Sequence, residues 1–320
     1  AESGIRDLDS SLVGSEMCIR DRPGSGPSPV VGDWVVVEPG PMPSDPWSIL
    51  AVFPRRTIIA RGAAGTGGGE QVLAANVDRV WIVHGLDMPL NSRRLERYLA
   101  VVWDSGATPE IVLTKGDLAE DMVATVTQVE AVAIGAPIRC VSSKDPGSVQ
   151  DLRNSVAPGC TVALLGPSGV GKSTLVNLLA GETIAATGEV RAGDRKGRHT
   201  TVRRELFRIP GGALLLDTPG MRELRVGVLD EGLKETFADI EVFAESCRFR
   251  DCRHEGEPGC AVLEAVDQGN LDSGRLASFR KLQAEAAYEL RRADPRARAA
   301  AVSEWKTAIK TMKHHPKHKN

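Results

Sequence analysis

No apolar run in this chain is long enough to cross a bilayer, and nothing at its start has the pattern of a secretory signal. A membrane partner is therefore not expected, and a cytoplasmic location is. Strong charge of either sign is also missing: 40 Lys and Arg stand against 42 Asp and Glu, for a net −2. A hydrophobic share of 42% beside 26% charged residues excludes wholesale disorder. Cysteine is too sparse, at six in 320 residues, for a disulfide scaffold. In a reducing compartment, clustered cysteines read as metal ligands sooner than as disulfides. The length allows two or three domains and one sizeable core.

What is present is organised around Gly166-Pro167-Ser168-Gly169-Val170-Gly171-Lys172-Ser173-Thr174. The stretch fits G-x-x-x-x-G-K-[ST], the phosphate-binding loop. Residues 161–165 lead in as an apolar run, expected to be a buried strand, and Leu175, Leu178 and Leu179 follow at helical spacing. Glycines let backbone N–H groups turn inward around phosphate oxygens, and a helix N-terminus adds partial positive charge. Lys172 would reach the β- and γ-phosphates, and Ser173 would hold Mg²⁺.

Residues 1–28 have no convincing periodicity. Residues 11–22 look like translated adapter sequence, the alternative being a disordered tail, so this stretch is set apart from the fold. Three short strands are expected at 30–37, 47–53 and 58–60, followed by a Gly/Ala linker at 62–69. They are too few for a closed barrel and suit part of one. From residue 77, strands alternate with helices. A strand at 77–84 precedes a helix capped by Asn91 and Ser92, with Leu95, Tyr98, Leu99 and Val102 on one face. Further strands are expected at 110–113 and 138–141. Met122, Val126, Val129 and Val132 mark a second helix, and residues 149–156 a third. Such alternation predicts a parallel sheet with helices on both faces and ligand sites beyond the strand ends. Two more strands, 205–209 and 213–216, follow a polar, glycine-rich loop at 183–201. Beyond residue 228 the chain reads as helical.

Three motifs stand at the expected strand ends. Asp217-Thr218-Pro219-Gly220 puts an acidic residue where Mg²⁺ would take an outer contact, and Gly220 where its backbone would meet a γ-phosphate. Thr114-Lys115-Gly116-Asp117 resembles the guanine-recognition motif [N/T]-K-x-D, with Thr114 where Asn is usual. A carboxylate at Asp117 can accept from guanine N1–H and the exocyclic amine together, which selects GTP, and the stem of Lys115 can lie along the base. Ser142-Ser143-Lys144 resembles the loop whose backbone meets guanine O6. A fourth cluster, Cys247, Cys252, His254 and Cys260, offers three thiolates and an imidazole within fourteen residues. Zn²⁺ favours such a set, and four protein ligands make the site structural. Cys140 and Cys160 are expected in the core.

The order of these motifs is unusual, because base recognition precedes the phosphate loop. With G-P-S-G-V-G-K-S-T, G-R-H-T-T, D-T-P-G and the Cys/His cluster, this order resembles the circularly permuted, small-ribosomal-subunit-dependent GTPases of the RsgA/YjeQ type. The resemblance runs from about residue 30 to the C-terminus. It implies an α/β, circularly permuted phosphate-loop GTPase domain at 70–228. A partial OB-fold-like RNA-binding region with its linker would precede it at 29–69, and a helical zinc-binding domain with a basic tail would follow at 229–320. It implies GTP hydrolysis coupled to late maturation of the small ribosomal subunit and its rRNA, by a monomer. Thr201, or else Thr200, would meet Mg²⁺ when GTP is bound, bringing His199 toward the γ-phosphate. Met221 follows Gly220 where many GTPases carry a water-orienting glutamine, so another residue takes that role, His199 being the best local candidate, or hydrolysis is slow until a partner supplies or orders one. From Arg275 onward twelve Lys and Arg face four Asp and Glu, an expected rRNA-contacting surface; Trp305 there is either core or a stacking group. A phosphate-loop ATPase or kinase, or an RNA-binding scaffold without turnover, are the competing readings.

Overall fold

The structure is a computed structural model, and it describes residues 28–42, 45, 47–62, 70–119, 121–184, 205–217 and 229–293. Two short ladders come first. Strands β1 (Val35–Glu38) and β2 (Ser48–Val52) pair antiparallel, as do β3 (Ile58–Gly62) and β4 (Glu70–Ala75). The first strand starts later than its apolar pattern predicts. The reason is a turn at residues 30–33, where Asp33 N–H donates to the Val30 carbonyl and Gly32 adopts φ 90°. A Cβ at Gly32 would lie 2.0 Å from the Ala75 carbonyl oxygen, so this turn packs backbone to backbone against β4. The sequence pattern does not mark β4, since its E-Q-V-L-A-A run carries a single β-branched residue. Among the described residues the four strands do not close into a barrel.

The central sheet has six strands in the order β7-β6-β5-β8-β10-β9. They are β5 (Arg79–Gly85), β6 (Thr108–Thr114), β7 (Ile138–Cys140), β8 (Thr161–Leu165), β9 (Glu205–Arg208) and β10 (Leu214–Asp217). Five run parallel, as the alternation predicts. The edge strand β9 is the exception and pairs antiparallel with β10. Ile209 N–H donates to the Ala213 carbonyl across a turn in which Gly211 and Gly212 hold φ of 98° and 85°. So short a connection permits only antiparallel pairing.

Helices cover both faces. Val80 and Ile82 of β5 point into one apolar cluster, and Trp81 and Val83 into the other. Helix α1 (Ser92–Asp104) lies on the first face, with Leu95, Tyr98, Leu99 and Val102 buried and the Asn91 side chain accepting from Arg94 N–H. Helix α2 (Met122–Glu130) covers the edge near β7 and buries only Val129; Val132 is buried beyond the helix end. Helices α3 (Pro146–Asn154) and α4 (Lys172–Ala180) cover the second face through Val149, Leu152, Leu175, Val176 and Leu179. Cys140 and Cys160 are half-buried at the margins of these clusters rather than within them, and burial still raises both thiol pKa values.

The first cluster does not stop at the sheet. It continues through Leu233, Phe237, Ile240, Val262, Leu276 and Phe279 of the C-terminal helices. These are α5 (Glu231–Thr236), α6 (Ala238–Ala244), α7 (Ala261–Asp267) and α8 (Ser273–Ala293). Phe237 and Phe279 meet edge to face at 5.3 Å. Beside them Arg275 is almost fully buried. Its guanidinium donates to both Asp239 carboxylate oxygens, to Glu96 of α1 at 3.1 Å and to the Thr236 carbonyl at 2.7 Å, and stacks on Phe237. Burial pushes the Glu96 carboxyl upward in pKa, against the pull of Ser278 and Arg275. Removing one partner of such a buried group strands the others and costs about 3–5 kcal/mol.

Contact between α5 and α1 is closest at Gly232. A Cβ there would stand 2.0 Å from the Ala100 carbonyl oxygen and 2.7 Å from Asp104 Cβ. Asp104 in turn accepts from Asp230 N–H at 3.0 Å, so α1 caps α5. Gly232→Ala is expected to push the two helices apart and cost about 2 kcal/mol or more, read as a lower melting midpoint. An unchanged midpoint would show that this approach is not required.

Candidate functional site

Strand β8 ends at Leu165 and the chain turns at once. Gly166 holds φ 153°, and a Cβ there would meet the Val83 carbonyl oxygen at 2.5 Å, so any side chain would push the loop off β5. Gly169 and Gly171 adopt φ of 83° and 97°, the second at the position capping α4. Val170 is fully buried and anchors the loop, whereas Ser168, Gly169 and Thr174 are exposed and Pro167, Lys172 and Ser173 half-buried. Lys172 Nζ donates to the carbonyls of Gly166 and Pro167 at 2.7 and 2.6 Å, which sets the ammonium inside the curve of the loop. The first-turn N–H groups of α4 point the same way, as the opening turn of any helix leaves them free to do.

The ends of β6 and β7 arrive beside this loop. Thr114 is buried, and its hydroxyl donates to the Val170 carbonyl at 2.5 Å. Lys115 is left-handed at φ 58°, and its ammonium donates to the Gly169 carbonyl at 2.9 Å and pairs with Asp87 at 2.6 Å. Asp117 accepts from the Ser142 hydroxyl at 2.7 Å and pairs with Lys144 at 2.6 Å. Those two partners, Lys144 foremost, hold the Asp117 carboxyl below the usual carboxylate range, so it stays ionised at neutral pH. Ser142 N–H and Lys144 N–H are engaged with the Ser148 and Ser142 hydroxyls, which shapes the Ser142-Ser143-Lys144 turn. Residues far apart in sequence thus share one edge of the sheet.

Asp217 closes β10, the strand parallel to β8, so its backbone stands at the same edge. His199, Thr200, Thr201 and Gly220 lie outside the described residues, as do Cys18, Met221 and the part of the basic segment beyond residue 293, with Trp305. Asp87 was not anticipated. It lies two residues past β5, and a carboxylate just beyond a parallel strand end was the available signal.

At the opposite end of the first cluster, the Cys247, Cys252 and Cys260 sulfurs and a His254 ring nitrogen lie within 4.8 Å of one another. Cys247 Sγ is 3.6 Å from His254 Nδ1 and 3.9 Å from Cys260 Sγ, and His254 Nδ1 is 3.4 Å from Cys260 Sγ. A tetrahedral ion with bonds near 2.0–2.3 Å has ligand–ligand edges of roughly 3.3–3.8 Å, so the donor set fits one divalent metal. Burial, with Cys260 and Cys247 crowding it, pushes the Cys252 thiol up to about 12. Burial also lowers the His254 pKa, leaving the neutral imidazole that coordination needs. Glu257, likewise unanticipated, ties the loop: it accepts from the N–H groups of Arg253, Glu255 and Gly256, which pull its carboxyl down to about 2.

A phosphate loop on a central parallel strand, served at the same edge by two strands that come earlier in the chain, defines a circularly permuted phosphate-loop nucleotide-binding domain. The family model described as RsgA GTPase matches residues 52–227. Relatives include a protein of Methanosarcina acetivorans named small ribosomal subunit biogenesis GTPase RsgA, 46% identical over 84% of this chain and 73% of its own. A protein of the same name from Xanthomonas euvesicatoria is 49% identical over 80% of this chain and 69% of its own. Among solved structures, YjeQ from Thermotoga maritima aligns with a TM-score of 0.58 at 26% identity, over 81% of this chain and 84% of that one. The chain belongs to the RsgA GTPase family.

The role of Glu257 can be checked directly. Glu257→Ala is expected to speed loss of metal from the cluster to a chelator by roughly tenfold, with nucleotide affinity unchanged. Equal rates in the two proteins would show that the loop holds its shape without this carboxylate.

Proposed function

We propose that this protein is a GTP hydrolase that binds the small ribosomal subunit and couples hydrolysis to late maturation of that subunit. One observation carries the reading: Thr114 and Lys115 bond to the phosphate loop, and Asp117, paired with the Ser142–Lys144 turn, follows them at the same sheet edge, which suits one nucleotide meeting all of them. The names of its relatives supply the particle. The proposed division follows the sequence: an OB-like, RNA-binding region at 29–69, the GTPase domain at 70–228 and a zinc-binding helical domain at 229–320. A monomer acting in the cytoplasm suits this role.

In this reading the backbone from Gly166 to Thr174 cradles the phosphates and Lys172 neutralises them. Ser173 and Thr201, or Thr200 in its place, hold Mg²⁺, with Asp217 behind and the Gly220 N–H toward the γ-phosphate. The metal would supply charge neutralisation at the phosphates. Asp117 accepts from the guanine edge, backed by Lys144 and Ser142; Lys115, tied at its tip, lays its stem along the base. Cys247, Cys252, His254 and Cys260 hold one structural Zn²⁺. His199 orients the attacking water once the subunit orders its loop, so stimulation comes from positioning.

Asp117→Asn exchanges an acceptor for a donor. Affinity for GTP is expected to fall at least roughly hundredfold while xanthosine triphosphate gains. Equal GTP affinity in mutant and parent would sink the base-reading assignment.

Turnover measured with and without purified small subunits tests the function itself. Stimulation by the subunit is expected, and its loss in His199→Ala with GTP binding and subunit binding kept. Negligible turnover under both conditions would leave a nucleotide-regulated scaffold instead. A His199→Ala protein stimulated as strongly as the parent would move attention to Arg198 or to groups of the ribosome.

A further inference from the structure

A cleft of about 320 Å³ lies between α1 and α8, away from the phosphate loop and from the cysteine cluster. Four cationic side chains line it: Arg93, Arg94 and Arg97 from α1, and Lys281 from α8. Its buried lining includes Tyr98 and the small, polar Ser278. Arg97 is tied across the helices to Glu285 by two hydrogen bonds, at 2.6 and 2.9 Å, which fixes the walls relative to each other. Among the described residues, Arg93, Arg94 and Lys281 make no ion pair. Glu285, paired with Arg97 and also within the field of Lys281, is one carboxylate against four cations, so an added anion still lowers the repulsion among them. Leu282 is the one aliphatic residue in the lining, against four cations, so the charge favours an anionic occupant over an apolar peptide.

We infer that this cleft is a docking site for the phosphodiester backbone of an RNA strand, at the seam between the nucleotide-binding sheet and the C-terminal helices. The inference rests on the proposed function for its partner, a largely RNA particle, and on charge complementarity for its place. Guanidinium pairs on one helix, faced by an ammonium on another, match successive phosphates better than the scattered carboxylates of a protein segment. Neither wall is complete alone: three of the cations come from α1 and the fourth from α8. RNA held here grips both parts at once, so their packing through Arg275 and Gly232 becomes part of the docking surface.

The test uses the full chain and two probes, purified small ribosomal subunits and poly-uridylate RNA, with affinity measured against salt. Each phosphate contact adds about 0.7–0.9 to the slope of log affinity on log salt concentration. Arg93→Gln with Arg94→Gln is expected to flatten that slope by about 1.4–1.8, and Lys281→Gln by about half as much. At low salt the double variant should bind at least tenfold more weakly, with Arg93→Lys and Arg94→Lys restoring the slope. Melting midpoint and GTP affinity, measured on the same samples, exclude unfolding as the cause. Unchanged slopes and affinities in the variants would overturn the cleft while leaving the proposed function standing. Binding of the parent to poly-uridylate but not to subunits would overturn the function and leave the cleft. Poly-glutamate competing as well as poly-uridylate would make the occupant an acidic protein and overturn the RNA assignment.

Discussion

Two carbonyls of the phosphate loop accept from side chains at the end of β6, its first glycine packs against the β5 backbone, and the site depends on that seam. The Val170 carbonyl takes the Thr114 hydroxyl and the Gly169 carbonyl takes the Lys115 ammonium, while Gly166 lies so close to the Val83 carbonyl that no Cβ fits between. A loop rich in glycine has many conformations to lose on ordering. Here the loss is offset from outside the loop, by donors on a strand end more than fifty residues earlier in the chain. The substitution of Thr for Asn at position 114 becomes intelligible in these terms. The hydroxyl is short and buried, and it spends its one proton on holding the loop.

The same first face of the sheet supports the C-terminal helices. Their apolar residues and those of α1 form one cluster, so the region after residue 229 is an extension of the core. Its polar fixings are few and buried. Arg275 satisfies two carboxylates and a backbone carbonyl at once, and Asp104 of α1 supplies the cap that α5 lacks from its own Asp230. The Cys/His cluster then sits at the rim of this shared core, where Cys260 is buried beside Val262 and His254 adopts a left-handed backbone.

Local signals were the legible ones. The strand before the phosphate loop, residues 161–165, matches β8 to the residue, and Asn91 caps α1 as its position predicts. The four residues of the Cys/His cluster were legible for the same reason, being close in sequence and rare in type. What escaped notice depends on partners far away. Asp87 gains meaning only when β5 and β6 lie side by side. Gly232 reads as a poor helix former until Ala100 is beside it, and Arg275 reads as part of a basic tail until Glu96, 179 residues earlier, accepts from it. The reversed edge strand β9 and the unassigned β4 belong to a third kind, in which pairing partners rather than composition decide the direction or the existence of a strand.

The order of the strands has a consequence in time. A chain emerges from the ribosome N-terminus first, at roughly 5–20 residues per second. The strands carrying Asp117 and the Ser142–Lys144 turn therefore leave the exit tunnel before Gly166 does, by several seconds for the earlier motif. During that interval β5, β6 and β7 can pair with one another, yet β8, the strand that belongs in the middle of the sheet, does not exist outside the tunnel. A nascent chain of this kind holds the proposed base-reading half of the site without the phosphate loop. It cannot capture a nucleotide and settle prematurely around it. β8 then adds to the open edge of β5, β10 and β9 follow it, and only a chain that has received β8 carries a phosphate loop.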